Sequence, residues 1–281
     1  VDIGVVNHYG QYVLKGGTSL SKGYRLISRF SEDVDLLLIP QARDEESGVE
    51  QLLEQVERTI SNLTGLEITR EKAEGGLQPS LLLHIQGYYP STPKSISHRS
   101  ESITAFRAVP FLASLANWLP CLLTSSSRHS RTSCASQDLQ PCQIMMLHPT
   151  RTLVEKLCVV DGIGRRIAGG NNAVRSREAR HYYDLWHLLD TDKSPAIQYL
   201  QEHGDVELLY DDCVRITQRF YGSSPERPEG GFASSVAFAP EVVGVVTKAY
   251  AKMCGELVFP GSNCPSLQAV VDRVRANASH L

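Results

Sequence analysis

The chain has 281 residues, of which 42% are hydrophobic and 21% charged, and its formal net charge is −3. That length supports one large domain or two ordinary ones with a full core, which excludes a mini-protein needing staples. The charge excludes a global attraction to nucleic acid, so any RNA or DNA contact needs a local basic patch. No apolar run approaches the roughly 18 residues of a membrane span, and the seven cysteines form no CxxC pair. An odd, scattered set reads as reduced thiols of a soluble cytoplasmic protein.

Val1 to Gly10 lead at once into a strand-like run, Tyr12-Val13-Leu14. Either the fold begins at that strand or an N-terminal helix is absent. A small-residue loop follows, Lys15-Gly16-Gly17-Thr18-Ser19-Leu20-Ser21-Lys22. Ser19 to Ile27 then reads as the opening turns of a helix, whose free N–H groups suit an anion. Lys15, Lys22, Arg25 and Arg29 add positive charge around it. Next comes Arg29-Phe30-Ser31-Glu32-Asp33-Val34-Asp35-Leu36. On a strand, residues i and i+2 share a face, so Asp33 and Asp35 stand side by side with Cα atoms about 7 Å apart. Leu36 to Ile39 extend an apolar run that fits a strand buried on both faces, with the carboxylates near one end. Hard divalent cations such as Mg²⁺ take one or two carboxylates together with substrate phosphates, so this pairing of loop and acids points to nucleotide chemistry.

Val49, Leu52, Leu53, Val56 and Ile60 recur at helical spacing and predict an amphipathic helix over 49–62. Strands are predicted over 65–70 and 80–85, with a Gly75-Gly76 turn between them. The order strand, helix, strand, helix, strand, strand predicts an α/β (α+β) fold, a mixed sheet with helices against it. Residues 91–134 differ: these 44 residues hold 11 serines and one acid, Glu101, against 31 acids in the whole chain. They read as an irregular or disordered insertion, with a basic Ser-rich RNA contact as the alternative.

From His148 the helical pattern returns. Thr152-Leu153-Val154-Glu155 reads as a capping box, Gly162 to Asn172 as a loop, and Arg177 to Leu189 as a helix with Tyr182, Leu185, Trp186 and Leu189 on one face. Further helices are expected over 205–220, over 240–255 behind Pro240, and over 266–278. The domains expected are 1–147, with the insertion inside it, and a mostly helical 148–281.

Three phosphate-loop patterns compete for residues 16–23. A Walker loop needs Gly-Lys-Ser/Thr, and the chain has Ser21-Lys22-Gly23. The dinucleotide fingerprint needs spaced glycines, and these are adjacent. Gly-Gly-Thr/Ser followed by Asp-x-Asp is the polymerase-β-type nucleotidyltransferase arrangement; a helix cap beside a surface acidic turn is its bland counterpart.

The residues 15–24 and 29–36 resemble the AbiEii family of nucleotidyltransferases, which supplies toxins of type IV-like toxin–antitoxin pairs, the mycobacterial MenT enzymes among them. Arg151-Thr152-Leu153-Val154-Glu155-Lys156-Leu157 and Arg180-His181-Tyr182-Tyr183-Asp184-Leu185 are similar to its third and fourth motifs. The resemblance implies a nucleotidyltransferase domain followed by a helical domain that contributes to the active site. It implies Mg²⁺-dependent transfer of NMP from an NTP to the 3′ end of tRNA, halting translation, and a cognate antitoxin. A protein or small-molecule acceptor, or a chain that only binds nucleotide or antitoxin, is the alternative.

Carried over, Gly16 and Gly17 would let the backbone approach the triphosphate, Thr18 or Ser19 would donate to it, and Lys22 would be a nearby cation. Asp33 and Asp35 would bind metal, and Lys156 would be a point charge on the triphosphate. Asp184 would orient or deprotonate the acceptor hydroxyl or complete the metal site. The superfamily's third carboxylate has no counterpart on the strand Leu81–Ile85, which carries His84, and residues 91–134 match none of the family's motifs. Arg180 four residues before Asp184 offers an ordinary helical ion pair instead, and His181 and His187 read as surface or capping residues.

Overall fold

The computed structural model describes residues 10–31, 35–40, 54, 58, 68–72, 80–85, 106–107, 122–124, 145–204, 206–221 and 226–281. Helix exceeds strand among them. The chain divides into two units, Val1–Thr18 with Glu32–Met146, and Ser19–Ser31 with Leu147–Leu281. Residues 19–31, placed in the first domain by the sequence, therefore belong to the helical unit.

The first unit contains the expected mixed sheet. β1 (Gly10–Lys15) pairs antiparallel with β2 (Asp35–Pro40) and parallel with β7 (Met145–Leu147). The order is β2-β1-β7-β6, with β6 at Leu122–Thr124. Val13 on the central β1 is wholly buried, which explains its apolar run. A second sheet joins β3 (Ile68–Lys72), β4 (Ser80–Ile85) and β5 (Phe106–Arg107) in that order, all antiparallel. β5 and β6 lie inside 91–134, so that segment is not wholly irregular: its apolar patches pair with sheet neighbours. Of the expected helix over 49–62, Glu54 and Arg58 are described, helical and joined by an exposed i to i+4 ion pair. Its apolar positions, like Gly75 and Gly76, lie outside the described residues.

The expected helix over Ser19–Ile27 is instead a short run beginning at Gly16: one α-turn, Gly16–Thr18, passing into a π-helical turn, Ser19–Gly23. Arg25 with φ of 54° ends any helical course, because that left-handed backbone cannot continue a right-handed helix. Leu20 and Ile27 are buried and anchor this segment in the second unit.

The second unit is built around α1 (Pro149–Ala168). It starts before the expected capping box, because His148 is the N-cap, its ring accepting from the Thr150 N–H at 3.4 Å, and Pro149 fits the first helical position. Thr152 lies inside the helix, its hydroxyl without a hydrogen-bond partner among the described residues. Leu153, Val154, Leu157 and Val160 are all but fully buried, each worth roughly 1.5–3 kcal/mol relative to exposure. The helix also runs through Gly162 and Gly164, where the sequence predicts a loop. At Gly164 a Cβ would come within 2.5 Å of the Ala237 Cα, so the glycine serves close packing against the turn Val236–Phe238 rather than chain reversal.

α2 (Ser176–Leu188) matches the predicted helix and packs on α1. α3 (Pro195–His203), capped by the Ser194 hydroxyl, has no counterpart in the sequence prediction, being only 9 residues long. α4 (Glu207–Tyr221), α5 (Pro240–Leu257) and α6 (Leu267–Ala276) lie where expected. Arg273 of α6 stacks over Trp186 of α2 at 3.8 Å and donates to the Trp186 carbonyl at 2.8 Å, fixing these two helices. Two of the cysteines read as reduced are paired: Cys254 and Cys264 form a disulfide across a Cα separation of 6.1 Å. The chain returns on itself within 10 residues, inside disulfide reach, which spacing alone does not reveal.

Replacing Gly164 by alanine forces that Cβ into the Ala237 backbone. The expected cost is about 1–3 kcal/mol, read as a lowered urea midpoint at unchanged m-value, whereas Gly162→Ala, which meets nothing within 4 Å, is neutral or stabilising.

Candidate functional site

In the first unit, Gly16 and Asp35 come together. Lys15 and Asp35 are register partners across β1 and β2, which places the carboxylate beside the loop backbone. Gly16 has φ of 69°, and a Cβ built there would collide with the Asp35 carboxylate oxygen Oδ2. The glycine is thus required twice, by its backbone conformation and by the closeness of the acid. Gly17 and Thr18 complete the same turn, half-buried. Asp33 and the expected i, i+2 pairing lie outside the described residues. Asp35 opens β2, in keeping with a carboxylate at the end of a strand.

In the second unit, Ser19 is fully buried, and its carbonyl accepts from the Tyr24 N–H at 2.9 Å. Lys22 is exposed on the π-turn. Lys156 and Asp184 meet, from α1 and α2, together with a third group, Arg29. Arg29 Nε donates to Asp184 Oδ1 at 2.7 Å and Nη2 to Oδ2 at 2.6 Å, a bidentate fork, while Lys156 Nζ contacts Oδ2 at 2.5 Å. Side-chain exposures of 1% for Arg29, 7% for Lys156 and 0% for Asp184 remove the cluster from water. Burial alone would raise the Asp184 carboxyl, but the Arg29 and Lys156 charges and the hydrogen bonds they donate outweigh it and hold it below the ordinary carboxylate range. Burial pulls Lys156 below the usual lysine value; Asp184 opposes this, and Arg29 and Arg180 add to it.

Both Asp184 oxygens are engaged by cations. In the structure the carboxylate joins Arg29 to Lys156. The helical alternative is displaced, since the charges on Asp184 come from residues 29 and 156.

The remaining motif residues build the frame. Arg151 is buried and bonds Asp212 of α4 at 3.4 Å and Glu155 at 3.1 Å, tying α1 to α4. The Tyr183 hydroxyl accepts from the Ser28 N–H at 3.3 Å, beside Arg29. Arg29 and Tyr183 are site residues whose roles the sequence did not reveal; Arg29 was distinguished only as one more cation near the loop. Burial lowers His187 to about 4, and burial with His203 nearby lowers His148 to about 4. Among the described residues no group of three or more His, Cys, Asp or Glu could hold a metal ion. No helix there is long and apolar enough to cross a membrane.

The sequence profile of the family described as nucleotidyl transferase AbiEii toxin, type IV TA system, matches residues 4–105 and 119–273. It runs through much of the Ser-rich segment that carries none of the motifs, breaking only over 106–118. No curated protein and no solved structure matches the chain.

Asp184→Asn removes the buried carboxylate that Arg29 and Lys156 share and is expected to cost about 3–5 kcal/mol, measured by urea unfolding. The histidines give a pH dependence of definite sign. With folded values near 4 and an ordinary value of 6.5, His148 and His187 stay neutral in the folded chain while the unfolded chain takes up protons. The unfolded state binds more protons across that window, so stability falls as pH drops from 6.5 towards 4. Urea midpoints taken through this range show the decline; a flat profile contradicts it.

Proposed function

Because the chain belongs to the AbiEii nucleotidyltransferase toxin family of type IV toxin–antitoxin systems, we propose that it transfers NMP from an NTP to the 3′ end of tRNA. The acceptor hydroxyl oxygen bonds the α-phosphorus, the bond to the β-phosphate oxygen breaks, pyrophosphate leaves, and the hydroxyl proton goes to solvent. The modified tRNA cannot be charged, so translation and growth stop in the cytoplasm until an antitoxin restrains the enzyme. On this reading the first unit is a polymerase-β-type nucleotidyltransferase domain and residues 148–281 its helical companion.

The observation that carries the reading is charge: among the described residues, the Arg29 and Lys156 cations converge on the buried Asp184 carboxylate, a concentration of donors that suits a phosphate. Lys156 has three donor hydrogens and spends one on Asp184, so it retains capacity for the triphosphate. In the first unit, Gly16 and Gly17 would give the phosphates access to backbone N–H groups, with Thr18 on the same turn. Asp35 stands against the Gly16 backbone, so a carboxylate, the ligand type a hard cation takes, lies beside the loop. Asp33 and Asp35 would hold Mg²⁺, which would supply charge neutralisation on the phosphates.

The test incubates the chain with each α-labelled NTP, Mg²⁺ and total tRNA. Label is expected on tRNA, and Asp35→Ala lowers it by roughly 100-fold or more, the scale of one preorganised electrostatic contact. Label on protein with none on RNA overturns the tRNA acceptor, and equal labelling by Asp35→Ala overturns the site.

A further inference from the structure

Arg29 reaches Asp184 because its backbone is held by a segment far along the chain. The Phe30 N–H donates to the Leu257 carbonyl at 2.8 Å and the Phe259 N–H to the Ser28 carbonyl at 3.0 Å. Arg29 and Val258 form an antiparallel β-bridge between these two bonds. Residues 257–259 in turn lie within the loop closed by the Cys254–Cys264 disulfide. Cys254 is in the last turn of α5 and Cys264 lies just before α6. One further tie spans the same loop: the Tyr250 hydroxyl donates to the Pro265 carbonyl at 2.9 Å.

On the loop side of the bridge, side-chain burial does little to secure this contact. Phe30 and Phe259, which flank the bridge, are 52% and 41% exposed. Gly261 at the loop's tip has φ of 80° and open space around it. The strap on Arg29 is therefore held by main-chain hydrogen bonds and a covalent closure, with few buried apolar contacts to keep it in place if that closure opens. Closing the loop removes open conformations that the reduced chain would otherwise populate.

We propose that Arg29 is a positioning residue for Lys156 whose placement is set by the disulfide-closed loop 254–264, so that opening the Cys254–Cys264 bridge loosens Arg29 on Asp184 and weakens the grip of Lys156 on the triphosphate. This rests on the reading of Lys156 as a triphosphate contact. Arg29 fills both oxygens of Asp184 from one side, which leaves Lys156 a single shared oxygen and directs its remaining donors elsewhere. Without Arg29 the Asp184 carboxylate has a free oxygen, and Lys156 turns fully onto it. Opening the bridge takes two electrons. A dithiol such as dithiothreitol supplies them, each sulfur gains a proton, and the dithiol closes into its own disulfide.

The experiment measures KM for NTP and kcat for NMP transfer in the oxidised and dithiothreitol-reduced protein, in Cys254→Ser/Cys264→Ser, in Arg29→Met and in Arg29→Lys. Reduction is expected to raise KM about tenfold, the scale of one charged hydrogen bond, with kcat changed far less. The double serine variant matches the reduced protein and ignores dithiothreitol, although Cys158 and Cys213 remain as free thiols. Arg29→Met has the raised KM in both redox states, and Arg29→Lys recovers part of the loss. If reduction still raises KM in Arg29→Met, the loop does not act through Arg29 and the proposal falls. It falls equally if wild type transfers NMP with the same KM in both redox states. Absence of transfer by the oxidised wild-type protein overturns the transferase reading itself, a different result from either of these.

Discussion

A carboxylate with no exposed surface must find its counter-charge inside the protein, and Asp184 finds two. Desolvating three ionised groups is expensive, and the attraction among them repays it only at good geometry. That requirement fixes three separate pieces of chain at once: α1 through Lys156, α2 through Asp184, and the segment 28–30 through Arg29. Shifting either helix by one residue would turn Lys156 or Asp184 about 100° around its axis and strand a charge. The packing of α1 on α2, the Tyr183 bond to Ser28 and the bridge to Val258 all serve the same junction.

A second charge network sits on the same helix. Arg151 bonds Glu155 and Asp212, and Asp212 also accepts from Arg215, so Arg151 ties α1 to α4 as Lys156 ties it to α2.

How much of this was legible in the sequence depends on distance along the chain. The glycine loop and the acids lie within 20 residues of one another, so their shared chemistry is visible as a pattern, and β1 and β2 bring Gly16 to Asp35 as neighbouring strands should. α2 and α5 were read nearly to the residue, because each has a clear apolar stripe and, in α5, a proline at its start. Arg29 was not legible as the partner of Asp184. The two are separated by 155 residues, and Arg180 supplied a closer explanation for the same acid. Gly162 and Gly164 misled for a related reason: a glycine needed for a close neighbour looks, from composition, like one needed for a bend. The end of the predicted helix after Gly17 failed because Arg25 adopts a left-handed backbone that its side chain does not advertise.

Residues 19–31 sit in sequence between two strands of the first unit yet fold with the second. Synthesis runs in one direction, so this segment leaves the ribosome long before anything it binds exists. Arg29 waits first for α1 and α2, and then for the stretch around Val258, before its backbone has a partner. A chain still being translated cannot assemble the charge cluster until α1 and α2 have emerged, nor the bridge to Val258 until α5 has followed them.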